Sequence, residues 1–156
     1  MAVVNHAGYM REALAEAKKA YGLGEVPVGA VVVRDGEIIG RGHNLRETLK
    51  DSTAHAEILA MREAARIVGD WRLNGTVLYS TIEPCAMCAG AIIQFRVATL
   101  VYGAADPKAG AAGSVIDVIG QPRFNHRVEV VSGVLEEECR EIIQKFFREL
   151  REREET

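Results

Sequence analysis

Thr53-Ala54-His55-Ala56-Glu57-Ile58 and, further along, Glu83-Pro84-Cys85-Ala86-Met87-Cys88 are the stretches on which this 156-residue sequence turns. Each reads as the start of a helix. Thr53 is a candidate N-cap for a helix over about 54–68, with Ile58, Leu59, Ala65 and Ile67 contributing to its packed side. Pro84 suits the first turn of a second helix, where its missing amide hydrogen has no partner to lose. Cys85 and Cys88 then lie along one face of that helix. Its N-terminus favours thiolate over thiol. One imidazole and two thiolates are a three-ligand set that holds zinc and leaves a fourth position open. Thus His55, Cys85 and Cys88 are candidate zinc ligands, and Glu57 is a carboxylate left over for proton transfer. Regular helix geometry would set residues 55 and 57 about 200° apart, so their meeting at one site is inferred from the chemistry, not from periodicity.

Outward from these stretches, residues 6–21 form an amphipathic helix with Met10, Ala13, Leu14, Ala17 and Tyr21 on its apolar side, ended by Gly22 and Gly24. Residues 28–33 and 38–43 read as a hairpin turning at Asp35-Gly36, followed by a polar loop over 44–53. Strands are expected at 76–80, 97–102 and 127–131, and a short helix at 115–119. Residues 104–114 are a loop of small residues. A long helix over 134–152 carries Leu135, Cys139, Ile142, Ile143, Phe146, Phe147 and Leu150, and the tail after it is expected to fray. Strands separated by helices predict an α/β fold with the sheet covered on both faces. No repeat or linker divides the chain, so residues 1–156 are read as a single domain.

Composition sets the outer bounds. Hydrophobic residues are 48% and charged residues 26%, as in ordinary globular proteins. No apolar run is long enough for a membrane span, and the first residues lack a leader pattern. Three cysteines, an odd number, argue against a disulfide framework and for a reducing compartment, by default the cytoplasm. Cys139 reads as a buried thiol. The net charge of -3 neither demands nor excludes a nucleic acid, but residues 94–127 hold Arg96, Lys108, Arg123 and Arg127 against Asp106 and Asp117.

The residue types dictate a chemistry. Zinc lowers the pKa of a bound water and makes hydroxide available near neutral pH. Glu57 would take the water proton, pass it to the ring nitrogen beside the attacked carbon, and help the exocyclic amine leave as ammonia. His-x-Glu followed by Pro-Cys-x-x-Cys is the known signature of zinc-dependent nucleobase deaminases. Cys-x-x-Cys alone also serves redox sites, and Glu57 alone could be a solvated helix acid.

With these residues in view, the sequence resembles the bacterial tRNA-specific adenosine deaminases of the cytidine deaminase-like superfamily. The matching strings are EVPVGAVVV (25–33), GHN (42–44), TAHAEI (53–58), EPCAMCAGAI (83–92), VYGAADPKAGAAGS (101–114), FNHRVEV (124–130) and FFREL (146–150). The resemblance implies a three-layer fold with a five-stranded mixed sheet flanked by helices. It implies zinc as cofactor, one ion per subunit, and hydrolysis of adenosine to inosine at the wobble position of an arginine tRNA anticodon. It implies a homodimer whose partner subunit helps form the groove for the anticodon stem-loop. It places Asn44 against the target nucleoside, Ala54 near the base edge, Asp106 at the anticodon backbone and sugar, and Asn125 and His126 beside neighbouring nucleotides. Phe147 and Arg148 match the segment of the last helix that borders the anticodon loop.

Read as residues, these positions are more open. Asn44 suits base or ribose recognition, or satisfies its own turn. Asp106 caps the turn before Pro107 or accepts a ribose 2′-hydroxyl, which would favour RNA over DNA. His126 can be a structural hydrogen-bonding residue. Val28 and Pro27 line a base pocket or pack a strand start. Lys108, Arg123 and Arg127 are phosphate contacts or solvated surface. Phe146 and Phe147 cannot both face one core on a regular helix. Two departures from the family pattern stand out, Ser52 where proline is common and the Gln94-Phe95-Arg96 segment. A deaminase of small free metabolites and a noncatalytic zinc-stabilised binding protein are the competing readings. Glu57 argues against the latter, because a purely structural metal site does not need it.

Overall fold

The computed structural model of the chain describes residues 4–155. The lack of a leader pattern at residues 1–3 and the very end of the tail, Thr156, lie outside the described residues. Strand β1 (Gly29–Arg34) is buried at every position but the last, which its unbroken apolar run requires of a strand covered on both faces. It pairs antiparallel with β2 (Glu37–His43) on one side and with β3 (Val77–Ile82) on the other. Asp35 and Gly36, both at positive φ (50° and 78°), make the tight hairpin turn that sequence predicts between β1 and β2. Parallel pairing adds β4 (Thr99–Ala104) and β5 (Glu129–Val131), giving the order β2-β1-β3-β4-β5. The expected five-stranded mixed sheet flanked by helices is therefore present.

Alternate residues of β1 feed two cores. Ala30 and Val32 join Ala60, Met61, Leu78, Ile92 and Leu100 beneath α3 (Ala56–Val68) and α4 (Ala86–Gln94). Val31 and Val33 join Met10, Leu14, Tyr79, Val101 and Cys139 beneath α1 (His6–Gly22) and α5 (Glu136–Glu154). Cys139 is the buried thiol expected, and burial pushes it up to about 12.

Several local expectations give way to tertiary packing. Of the residues expected on the packed side of α3, Ile58 and Ala65 do pack against the core, half-buried, and Ile67 is exposed; the fully buried face is Ala56, Ala60, Met61 and Ala64 with Glu57. The reason lies across from it: Cβ atoms at Gly40 and Gly42 would fall 2.2 and 2.4 Å from the carbonyl oxygens of Ala60 and Ala56. Helix and strand meet backbone to backbone, so small residues face the sheet and larger ones are displaced. Residues 44–53 contain a short helix, α2 (Arg46–Leu49), within the expected loop. Residues 115–119 are turns and an isolated bridge between Ala112 and Asp117, not a helix. Instead of fraying, the tail continues α5 to Glu154, with Arg151 and Arg153 favourably placed at its carboxyl end. Phe146 is buried and Phe147 is exposed, packed edge-on against it. Among the described residues no helix is long and apolar enough to cross a membrane.

The directions of the strands locate the site. β2, β3 and β4 run the same way, so their carboxyl ends open on one edge of the sheet, where the chain also enters β1. Such an edge is where open α/β sheets bind ligands.

Candidate active site

A cavity of about 220 Å³ opens at that edge. Its lining comes from the entry to β1 (Val26, Val28), the exit of β2 (Asn44, Arg46), the start of α3 (His55, Ala56, Glu57), the exit of β3 (Ile82, Glu83, Cys85) and the exit of β4 (Asp106, Ala109).

His55 and Cys85 each occupy the N-cap of a helix, with extended backbone and no side-chain capping bond. This corrects two expectations. Thr53 does not cap α3, because its amide and hydroxyl both go to Asp51 Oδ1 at 2.8 Å. Pro84 lies just before the N-cap, outside the first turn. The freed side chains turn toward one another. His55 Nδ1 lies 3.7 Å from Cys85 Sγ and 3.5 Å from Cys88 Sγ, and all three donor atoms lie within 4.8 Å of one another. Zinc bound tetrahedrally by imidazole and thiolate spaces nitrogen and sulfur by roughly 3.6 Å, from the ordinary bond lengths. The donor set thus fits zinc in both identity and spacing. The N-cap placement also resolves the angular difficulty of His55 and Glu57: the first stands outside the helix and the second within its first turn.

Electrostatics favour an ionised Cys85. The Cys88 thiol, the His55 ring and the helix start hold Cys85 down to about 3. Cys88, donating to Cys85 and buried, is held up. His55 is raised, first by its hydrogen bond with Cys85. Glu57 is almost fully buried, and burial pushes its carboxyl up to about 6. That is near the value at which a group both accepts and returns a proton at neutral pH.

The remaining sequence-derived positions divide. Val28, Asn44 and Asp106 line the cavity, as do Glu57 and two of the three candidate ligands. Asn44 is buried, donates from Nδ2 to the Val26 carbonyl at 3.2 Å and accepts from the Arg46 amide at 3.0 Å. Asp106 Oδ1 accepts from the amides of Lys108 and Ala109 at 3.0 and 3.1 Å, so it does cap its turn. Ala54 is buried; its amide donates to Asp51 and its carbonyl accepts from Leu45. Pro27 is buried and does not line the cavity. His126 Nε2 lies 2.6 Å from the Val97 carbonyl, a structural bond. Asn125, Lys108, Phe147 and Arg148 are exposed and away from the cavity lining. The Arg127 guanidinium donates to the carbonyls of Gln121 and Pro122, and that of Arg96 donates to the carbonyl of Ile93.

Sequence reading missed the buried acids that build the rim. Glu25 accepts from the amides of Glu47 and Thr48 at 3.1 and 2.6 Å and so caps α2 from a distance. Glu83 is buried and takes four hydrogen bonds from the loop after β4. Their only signal in the sequence was a glutamate beside an apolar run, at Glu25-Val26-Pro27 and Ile82-Glu83-Pro84.

Glu25 supplies a pH test. Burial alone would raise its pKa above 4.5, but the Thr48 and Glu47 amides, with Arg46 nearby, outweigh burial and hold it lower. Its bonds therefore stabilise the fold fully above the unfolded value and are lost as pH falls through the lower, folded one. Thermal unfolding from about pH 6 to about pH 3 is expected to show a steep acid loss that Glu25→Gln makes shallower. An unchanged slope in the variant would remove Glu25 from the acid response.

Comparison with known proteins places this geometry. The family model of MafB19-like deaminases matches residues 4–151. The tRNA-specific adenosine deaminase of Bacillus subtilis (strain 168) is 57% identical over 145 residues, covering 93% of this chain and 90% of the relative. That of Streptococcus pyogenes serotype M18 is 49% identical over 145 residues, covering 93% and 91%. A solved structure from work on A-to-I editing by tRNA:A34 deaminases at the wobble position of transfer RNA superposes with a TM-score of 0.84 at 47% identity. It covers 86% of this chain and 98% of its own.

Proposed function

We propose, because the chain belongs to the bacterial tRNA-specific adenosine deaminases of the cytidine-deaminase-like superfamily, that it converts adenosine to inosine at the wobble position of an arginine tRNA anticodon. One observation carries the chemistry: His55, Cys85 and Cys88 converge beside a buried, nonligating Glu57 in a cavity at the carboxyl ends of the strands. His55, Cys85 and Cys88 would hold zinc, which when bound would supply a nucleophilic water near neutral pH. Glu57 would take one proton from the attacking water and deliver it to the ring nitrogen beside C6. It would then take the second proton from the hydroxyl left on C6 and pass it to the exocyclic amine, which leaves as ammonia as the C6 carbonyl forms. Val26, Val28, Ile82 and Ala109 give the base an apolar wall. Asn44 orients the nucleoside, and the backbone of Ala54 borders the base edge. Asp106, with only Oδ1 taken up by its own turn, accepts a ribose hydroxyl.

Contacts beyond the target base belong to this reading as well. Lys108, Arg148 and Phe147 are exposed and available to the anticodon loop, with Asn125 and His126 beside flanking nucleotides. Residues 1–156 act as one deaminase domain, paired with a second copy that completes the groove. Family membership and exposed Val115, Ile116 and Phe124 support that pairing.

The experiment is inosine formation in an anticodon stem-loop bearing ACG, with free adenosine as control. Conversion of the hairpin and inertness toward adenosine is the expected result. Turnover of free bases or nucleosides with none on the hairpin would assign the site to small metabolites instead.

A further inference from the structure

Glu83 is 1% exposed, and its carboxylate faces the loop that follows β4. Oε1 accepts from the Asp106 amide at 3.0 Å and from the Ser114 hydroxyl. Oε2 accepts from the amides of Ala112 and Ser114 at 2.9 and 3.1 Å. An ionised carboxylate has about four acceptor directions, and all four are used. The loop wraps so closely that a Cβ at Gly110 would fall 2.4 Å from the Glu83 carboxyl. One more bond, from the Ala111 amide to the Pro84 carbonyl at 2.8 Å, ties the loop to the same strand exit. Two residues past Glu83 stands Cys85, and Asp106 sits on the cavity wall beside both.

We propose that Glu83 is a positioning residue for RNA: it fixes the 106–114 loop, and through it Asp106, at a set distance from the Cys85 end of the cavity. The inference rests on the proposed function and deepens it. Glu83 borders the cavity, but both of its oxygens are taken up by loop donors, so it bears on substrate through the loop. Because one strand exit carries both the loop anchor and Cys85, the sugar-binding wall and the reacting centre share one origin. A glutamine at this position would turn an amino group toward amide donors and leave loop groups unpaired. The loop would then hold Asp106 in several places instead of one.

The test uses the zinc-loaded full chain and the ACG hairpin. In the Glu57→Gln background, adding Glu83→Gln is expected to weaken hairpin binding, read by fluorescence anisotropy, about 30-fold. In the active background the same change should appear in KM, with kcat within about threefold and zinc content unchanged. A merely structural defect would lower the active fraction, and so kcat, with KM unmoved. Asp106→Ala should cost far less in the Glu83→Gln protein than in wild type, since both act through one contact. Ser114→Ala and Gly110→Ala are expected to shift KM the same way, and they carry the test if Glu83→Gln fails to fold. Unchanged hairpin affinity, additive effects with Asp106→Ala, or loss of zinc in Glu83→Gln would each overturn the positioning role. Failure of wild type to convert the hairpin would instead overturn the functional reading on which it rests.

Discussion

Glu57→Gln is expected to cut inosine formation in the hairpin about a thousandfold while zinc content stays at that of wild type. The two halves of this expectation come from separate features. Glu57 sits in the first turn of α3, and the three candidate ligands are His55, Cys85 and Cys88, so the metal set is intact in the variant. Glutamine keeps the shape of glutamate but cannot shuttle a proton at this pH. The site offers no obvious substitute, because the buried carboxylate nearest in role, Glu83, has its oxygens occupied by loop donors. Burial at Glu57 raises its pKa to about 6, which poises the group between its two duties of accepting and giving a proton. Zinc analysis and a single-turnover assay on the same preparation check the result. Near-wild-type rates in a zinc-replete Glu57→Gln protein would remove Glu57 from the chemistry and return the site to a structural metal centre.

What the sequence made legible, and what it hid, follows from the range of the forces involved. The convergence of His55, Cys85 and Cys88 was legible because thiolates and imidazole have few other uses in that pattern. The sheet was legible because Val31, Val32 and Val33 form a run that only a doubly covered strand buries. The fully buried face of α3 was not, since it depends on Gly40 and Gly42, which lie elsewhere in the chain and let β2 approach the helix backbone at Ala60 and Ala56. Thr53 looked like a cap by local chemistry, and Asp51 took its hydroxyl instead. Glu25 and Glu83 were hidden for the same reason: a buried acid becomes intelligible only when the amides it serves are brought to it by the fold. His126 and Arg127 show the converse. His126 Nε2 contacts the Val97 carbonyl and the Arg127 guanidinium donates to the carbonyls of Gln121 and Pro122, bonds that no local pattern announces.

Cys88→Ser is expected to lose bound zinc on dialysis and all turnover with it, whereas Cys139→Ala keeps both. Both sulfurs are fully buried, so burial alone does not separate them. Their neighbours do. Cys88 Sγ lies 3.5 Å from His55 Nδ1 in a three-donor cluster, while Cys139 projects from α5 against Gly103 in the other core. Serine fills nearly the same space but is a poor zinc ligand, which leaves two donors where a stable site needs three. A metal held there would also tie the start of α3 to the start of α4, so its loss should reach stability. A ligand bound only by the folded state and present at a thousandfold over its Kd adds about 4 kcal/mol. In a chain of this size that amounts to about 10 °C in Tm. Zinc-loaded wild type should therefore unfold about 10 °C above its chelated form, and Cys88→Ser should show no difference between the two conditions. Equal zinc retention in Cys88→Ser and wild type would place the metal elsewhere, and equal losses in Cys88→Ser and Cys139→Ala would trace the effect to general destabilisation of the fold.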